Sequence, residues 1–164
     1  MKMHIGLLAS LFLFSILMSS CSSKTSVVQL KQITVEQIPD ELPNGQHWDP
    51  LGGRPDIYVL IQQEKKAMYR SELFENVSGK NTYHFKNNLP MFLTLTEQPM
   101  RVDLFDADEL SADEWMGGFD LDAKKIKGKE SYVWVSESNG VRIALELDWK
   151  AYKKERKSEE KKDQ

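Results

Sequence analysis

Apolar and polar residues alternate along residues 141–149, and this alternation limits most strongly what the chain can fold into. The apolar members are Val141, Ile143, Leu145, Leu147 and Trp149. A period of two places one set of side chains on a single face of a β-strand, whereas a helix needs a period of about 3.6. Just before it, Ser138-Asn139-Gly140 predicts a hairpin turn after a strand at 132–135, because Asn-Gly tolerates positive φ.

Shorter alternating runs at 57–61, 91–95 and 100–105 predict further strands, and 69–77 and 119–121 are weaker candidates. Residues 27–38 are also strand-like, but the apolar phase slips near Lys31 and Gln32, which predicts a bulge. No long stretch before residue 150 has a helical period. The sequence therefore predicts an all-β fold over residues 27–149, an eight-stranded antiparallel β-sandwich. Residues 150–164 are dense in Lys and Glu, which predicts a charged C-terminal tail, either a frayed helix or disordered.

The start of the chain has the pattern of a bacterial export signal. Lys2 precedes an apolar run at 5–18, which is short for a membrane span and typical of a signal-peptide core. Met18-Ser19-Ser20-Cys21 resembles the lipobox of bacterial lipoproteins. The resemblance implies a signal peptide at 1–20, an acylated Cys21 as the membrane anchor, and a tether over 21–26. Ser22 resembles lipoproteins sent to the outer membrane, so we expect a lipid-anchored protein of the cell envelope. The alternative is an ordinary secretory signal cleaved nearby, with Cys21 incidental.

The net charge differs between the body of the chain and its tail. Residues 22–149 carry 14 Lys and Arg against 21 Asp and Glu, a net charge of −7, and residues 150–164 carry 7 against 4, a net charge of +3. An acidic body argues against nucleic acid as a partner, because nucleic-acid binding needs basic surfaces. It also argues against simple adhesion to anionic lipid, unless a bound cation changes the local charge.

Two acidic turns, about fifty residues apart, each run into a predicted strand. The first contains Asp49 and Asp56, and the second contains Asp106, Asp108, Asp113 and Glu114. If the turns meet, their carboxylates repel one another unless a cation sits among them or some stay protonated. Carboxylate oxygens on loops are the hard ligands that calcium prefers. A solvated acidic loop is the alternative, because turns favour Asp for local hydrogen bonds.

The two turns resemble the calcium-binding loops of the C2 domain family. Its first loop has an Asp and a Gly before Asp-Pro-Tyr-Val, and this chain has Asp49, Gly52 and then Asp56-Ile57-Tyr58-Val59. Its second loop has Asp-x-Asp, then an Asp before an apolar pair and Gly, and this chain has Asp106-Ala107-Asp108 and Glu114-Trp115-Met116-Gly117. The resemblance implies an eight-stranded sandwich that holds calcium between loops at one end. It assigns the ligand positions to Asp49, Asp56, Asp106, Asp108 and Glu114, with Asp113 as a substitute for Glu114.

An EF-hand is the competing interpretation of Asp106-Ala107-Asp108, and it fails at later positions of the loop. The fifth position would be Leu110 instead of an oxygen ligand, and the sixth would be Ser111 instead of Gly. Leu110 and Leu51 lie within the acidic turns, so they are candidates for membrane contact. Their other interpretation is packing back onto the sandwich. Trp48 and Trp115 flank the turns and are expected to pack in the core or at its rim.

Catalytic motifs are absent from the sequence, which has no Gly-x-Ser-x-Gly, no His-Glu-x-x-His and no phosphate-binding Gly loop. We therefore expect a non-enzymatic protein. The first hypothesis is a calcium-dependent binding module for lipid headgroups or an acidic ligand. The second is a calcium-independent scaffolding lipoprotein that binds another envelope protein. A weaker third is an accessory domain that presents an enzyme to the envelope.

Overall fold

A computed structural model describes residues 25–39, 41, 45–48, 53–108 and 112–160 of the chain. Its strands are β1 (Ser26–Gln37), β2 (Ile57–Gln63), β3 (Lys66–Arg70), β4 (Tyr83–Phe85), β5 (Met91–Leu95), β6 (Met100–Asp106), β7 (Glu114–Leu121), β8 (Ser131–Val135) and β9 (Arg142–Asp148). Its helices are α1 (Ala123–Ile126) and α2 (Ala151–Glu160). None of these helices is long and apolar enough to cross a membrane.

The strands form two antiparallel sheets. In the first sheet, β9 pairs with one side of β1, and β8 pairs with β9. The other side of β1 is shared, because β4 pairs with it around Thr34 and β5 pairs with it around Val28. The second sheet has the order β3-β2-β6-β7. Each sheet thus has four strand positions, and the eight-stranded antiparallel sandwich is confirmed, although one position is divided between two short strands.

The long strand β1 has the predicted bulge. Its pairing with β9 shifts register between Leu30 and Gln32. Val28 and Leu30 are buried before the shift, and Ile33 and Val35 are buried after it. One extra residue therefore keeps the apolar side chains facing the core although their spacing in the sequence changes. Burial of these four side chains against the second sheet drives the pairing of the two layers.

The β8–β9 hairpin forms where the sequence predicts it. Ser136 N–H donates to the Val141 carbonyl over 2.8 Å, and Gly140 has a φ of 75°. The weaker strand candidate at 69–77 was wrong in its bounds. The observed strand is β3, which ends at Arg70, and Phe74 only bridges to Ile57.

The sandwich has two distinct ends. We call the one formed by Asp56, Asp106 and Glu114 the acidic end; β2 and β7 begin there and β6 ends there. We call the opposite one the entry end, because β1 begins there at Ser26 beside the end of β9.

Both helices lie at the entry end. Helix α1 follows the end of β7, and α2 follows β9, whose Asp148 accepts from the N–H groups of Lys150 and Ala151 over 2.8 and 3.1 Å. Tyr152 of α2 packs edge-on against Phe92 of β5 at 5.9 Å between ring centroids. Of the two forms expected for the charged tail, the helix is therefore the one that the structure shows over Ala151–Glu160.

Candidate metal centre

The register of the second sheet places three carboxylates side by side at the acidic end. The Cα of Ile57 pairs with that of Asp106, and the Cα of Asp106 pairs with that of Glu114. Asp56 immediately precedes Ile57 and lies at the same level. Residues from two acidic turns, fifty positions apart in the chain, are thus neighbours because three strands share one edge of the sheet. The meeting of the turns follows from strand pairing and needs no ion to create it.

Asp106 is the buried centre of this group, with 3% of its surface exposed. Its Oδ1 accepts the Asp56 backbone N–H over 2.7 Å, and Ala107 N–H donates to the Asp56 carbonyl, also over 2.7 Å. Burial, opposed by the Asp56 hydrogen bond and aided by the charges of Asp108, Asp56 and Glu114, raises the pKa of Asp106 to about 6. The site therefore disfavours a negative charge at Asp106 unless a positive charge joins it.

Asp56 is fixed by the loop that follows β3. Its Oδ1 accepts the backbone N–H of Asn76 over 2.6 Å. Asn76 has a φ of 51°, a left-handed conformation that Asn adopts more readily than most residues. The same loop is tied to the base of β2, because Val77 N–H donates to the Pro55 carbonyl over 2.9 Å. One Asp56 oxygen is thus engaged by the backbone before any ligand binds.

Glu114 contributes the one carboxylate oxygen at this end that is both buried and without a hydrogen-bond partner among the described residues. Its Oε2 is fully inaccessible to solvent. Burying a carboxylate oxygen with no donor costs roughly 1–3 kcal/mol or more. Oxygen donors of this kind, on the ends of neighbouring strands, are the chemistry that suits a hard cation such as calcium.

Asp113 has a different set of contacts. Its Oδ2 accepts the Tyr58 hydroxyl over 2.6 Å, and its Oδ1 accepts the Asp108 N–H at 3.4 Å. Tyr58 stacks on Phe105 at 5.4 Å and lies under the Arg70 guanidinium at 4.1 Å. Burial and the bond to Asp113 together raise the pKa of Tyr58 to about 12, so the hydroxyl keeps its proton at neutral pH. The Tyr58–Asp113 bond fastens the second acidic turn to the outer face of the second sheet.

The structure places some of the predicted site residues together, and others lie outside the described residues. It brings Asp56, Asp106 and Glu114 to one edge, with Asp108 and Asp113 on the adjoining turn. Within the described residues, no group of three or more His, Cys, Asp or Glu side chains is close enough to form a finished metal site. The predicted ligand Asp49, the membrane-contact candidates Leu51 and Leu110, and the lipidation site Cys21 lie outside the described residues.

A second acidic contact on β6 was not predicted. Asp103 is 7% exposed, and its Oδ1 accepts from the Trp115 Nε1–H and the Arg101 Nε–H, each over 2.8 Å. Trp115 itself is 54% exposed, so it lies at the rim, whereas Trp48 is 2% exposed and belongs to the core. The burial of Asp103 could not be predicted from the sequence, because it depends on the pairing of Asp103 with Gly118 across two strands.

Three solved structures show what the fold is similar to. A C2 domain-containing protein from an elicitor-responsive gene matches with a TM-score of 0.50 at 17% identity, over 79% of this chain and 94% of that chain. A structure described as a C2 domain matches with a TM-score of 0.49 at 15% identity, over 74% of this chain and 97% of that chain.

The third match is human GIVD cytosolic phospholipase A2, with a TM-score of 0.50 at 10% identity, over 79% of this chain and 18% of that chain. This chain spans about a fifth of that enzyme, so the likeness does not extend to its activity. No protein-family model matches the chain, and no curated protein sequence matches it. The match to the C2 domain-containing protein shows the fold, and it is a C2-like β-sandwich, as the two acidic turns implied.

Proposed function

We propose that the acidic end binds calcium and that the chain is a calcium-dependent binding module for phospholipid headgroups or another acidic ligand. The observation that carries this proposal is the buried, unpartnered Oε2 of Glu114 beside the buried carboxyl of Asp106. A bound cation would offset the free-energy cost of burying these two carboxyl groups, and without a cation that cost remains. The C2-like fold supports the proposal because the resemblance places the family's calcium loops at this end.

Asp56, Asp106, Asp108 and Glu114 would hold the ion, together with Asp49 from the sequence pattern. All are oxygen donors, and calcium takes about six to eight oxygen ligands, so positions remain for water or ligand. When bound, calcium supplies positive charge and free coordination positions for the phosphate or carboxylate oxygens of a ligand. Asp113 acts as a positioning residue, because its two oxygens already accept from Tyr58 and from the Asp108 backbone.

Thermal unfolding of residues 22–164, which include every strand of the sandwich, tests the proposal. We expect millimolar calcium to raise the midpoint relative to chelator, because a ligand that binds only the folded state stabilises it. Glu114→Gln removes the unpartnered oxygen's charge and should abolish the shift. Glu137→Gln is the matched control, because it makes the same charge change in the exposed β8–β9 turn. An unchanged midpoint in the wild type would refute the calcium site.

We also propose that the protein is a bacterial lipoprotein of the cell envelope, anchored through acylated Cys21 and sorted to the outer membrane. The lipobox-like Met18-Ser19-Ser20-Cys21 supports this proposal. Incorporation of labelled palmitate by the full chain in bacterial cells tests it, with Cys21→Ser as the variant that should lose the label. A labelled Cys21→Ser chain would contradict the assignment. Contact of Leu51 and Leu110 with lipid stays a prediction from the sequence.

The second candidate function is calcium-independent binding of another envelope protein. The outer face of the second sheet favours it, because Met68 is 42% exposed and Trp115 is 54% exposed on that face. Arg70 lies over Tyr58 on the same face, and aromatic side chains, Met and Arg are enriched in protein interfaces. A photo-crosslinker at position 115 tests this function. A discrete adduct that persists in chelator and weakens in Met68→Asp would support the protein-binding function over the calcium-dependent one.

A further inference from the structure

The entry end carries a group of exposed lysines, although the net charge of the chain is negative. They are Lys124, Lys125, Lys127, Lys129, Lys150, Lys153 and Lys154. They come from two segments, 122–130 and 149–155, which also contain the acids Asp122, Glu130 and Glu155. Seven lysines against three acids give these two segments a net charge of +4. These two segments therefore place a net positive charge at the entry end, opposite the acidic end.

Tertiary contacts hold the two lysine segments against each other. Leu147 N–H donates to the Glu130 carbonyl over 2.8 Å, and Trp149 Nε1–H donates to the Lys129 carbonyl over 2.9 Å. A cleft of about 410 Å³ lies beside these contacts, and Gly128, Glu130, Trp149 and Lys150 are among the residues that line it. These contacts hold the two segments next to each other at the entry end, and we call their exposed lysines together the lysine surface.

Nearby acids are engaged within the fold. Asp122 caps α1 by accepting from the Lys124 N–H over 2.7 Å, and Asp148 caps α2 in the same way. Glu146 is paired with Lys31. These carboxylates keep their charge, so counting Asp148, Glu146 and Lys31 with the two segments gives eight lysines against five acids, a net charge of +3 toward a large, flat ligand.

The lysine surface is also where the described chain enters the fold. Ser26 begins β1 there, and β1 runs to the opposite end, where Gln37 pairs with Arg142. The β8–β9 turn at that end contacts the start of β7, because the Asn139 side chain donates to the Met116 carbonyl over 2.6 Å. Twelve strand residues span about 35–40 Å. The lysine surface and the acidic end are therefore separated by the full length of the sandwich.

We propose that the lysine surface docks on an anionic phospholipid membrane and orients the domain with its acidic end pointing away from that membrane. Lysines near an anionic membrane are attracted to its surface potential within about a Debye length, whereas acidic loops are repelled by it. Docking itself does not depend on calcium. In this orientation the acidic end would meet its ligand on the side away from the anchor. This consequence rests on the proposed function.

Co-sedimentation with vesicles in chelator tests the docking. Residues 22–164 are mixed with phosphatidylcholine vesicles, with and without phosphatidylglycerol. We expect binding only to the anionic vesicles, falling with added salt, and at least roughly tenfold weaker in the triple variant Lys124→Gln, Lys125→Gln, Lys127→Gln. The control triple variant Arg54→Gln, Lys80→Gln, Lys86→Gln makes the same charge change at exposed residues off this surface. Equal loss in both variants, or no binding by the wild type, would overturn the proposal.

Energy transfer to labelled lipid headgroups tests the orientation. The chain from residue 22 has no cysteine, so single labels can be placed at Glu97→Cys, beside the start of β6 at the entry end, and at Ala112→Cys, beside the acidic end. Both positions are exposed. We expect strong transfer from position 97 and weak transfer from position 112. The reverse ranking in chelator would overturn the orientation, whereas a failed calcium site would leave both vesicle results unchanged.

Discussion

The hydroxyl of Tyr58 donates to Oδ2 of Asp113 over 2.6 Å, and this bond joins the second acidic turn to β2, an inner strand of the second sheet. Tyr58 is held between Phe105 and Arg70, so it provides a rigid donor. A residue on the outer face of the sheet thus sets the position of a turn whose neighbours, Asp106 and Glu114, face the candidate site.

Tyr58→Phe should destabilise the fold by about 1–2 kcal/mol, because it removes a hydrogen bond to a carboxylate but keeps the ring stacking. Urea unfolding measures the change, and Tyr132→Phe is the control for loss of a hydroxyl from a core-packed ring. In a double-mutant cycle, Tyr58→Phe and Asp113→Ala should be strongly non-additive. Additive effects would show that the bond contributes nothing to stability.

Asp106→Asn should stabilise the calcium-free protein at neutral pH. The folded pKa of Asp106 is about 6 and its ordinary value is 3.8, so the folded state favours the protonated carboxyl. The protonated Asp106 carboxyl therefore stabilises the folded wild type fully below about pH 4, and this stabilisation is lost as the pH rises through about 6. Asn keeps an oxygen that can accept the Asp56 N–H and carries no charge.

The difference between wild type and Asp106→Asn should thus open between pH 4 and pH 7 and reach at most about 3 kcal/mol. Urea unfolding of both proteins in chelator across that pH range measures it. A constant difference at every pH, or a variant that is less stable at pH 7, would contradict the burial-driven shift of the Asp106 pKa.

Gly118→Ala should be strongly destabilising. A Cβ at Gly118 would lie 2.2 Å from Asp103 Oδ1 and 2.5 Å from the Val102 carbonyl oxygen. The second contact is with the backbone, so side-chain rotation cannot relieve it. We expect a loss of roughly 2 kcal/mol or more, as for other overpacked positions. Thermal unfolding measures the loss, and a fluorescence change at Trp115 should accompany it, because Asp103 also holds that indole.

Gly128→Ala is the control for Gly118→Ala. Nothing lies within 4 Å of its added Cβ, but its φ of +75° makes alanine strained there. Its cost should be about 1 kcal/mol, from backbone conformation alone. If the two variants lose equal stability, the close approach of Gly118 to β6 is not a packing constraint.

Local sequence patterns predicted the elements that local physics decides. The bulge at Lys31 and Gln32 was predicted because the buried face must be continuous, and the turn at Gly140 because Asn-Gly tolerates positive φ. The structure brings Asp56, Asp106 and Glu114 of the two acidic turns to one edge of the second sheet, because paired strands carry them.

Features that depend on pairing between distant residues could not be predicted. The strand expected at 69–77 ends at Arg70. Ser71 N–H still donates to the Val59 carbonyl, but the Val59 N–H donates to the Ser71 hydroxyl oxygen, so a side chain replaces a backbone acceptor of the ladder there. The Tyr58–Asp113 bond spans 55 positions, so neither residue alone showed it. The lysine surface and the acidic end are separated because β1 runs from one end of the sandwich to the other, and amino-acid composition alone does not show this path.

Calorimetric titration of calcium into residues 22–164 measures whether the acidic end binds calcium. We expect saturable binding by the wild type and by the exposed-acid control Glu137→Gln. We expect no binding by the double variant Asp106→Asn, Glu114→Gln, which keeps the shape of both side chains and removes their charges. Absence of binding by the wild type, or unchanged binding by the double variant, would contradict a calcium site at the acidic end.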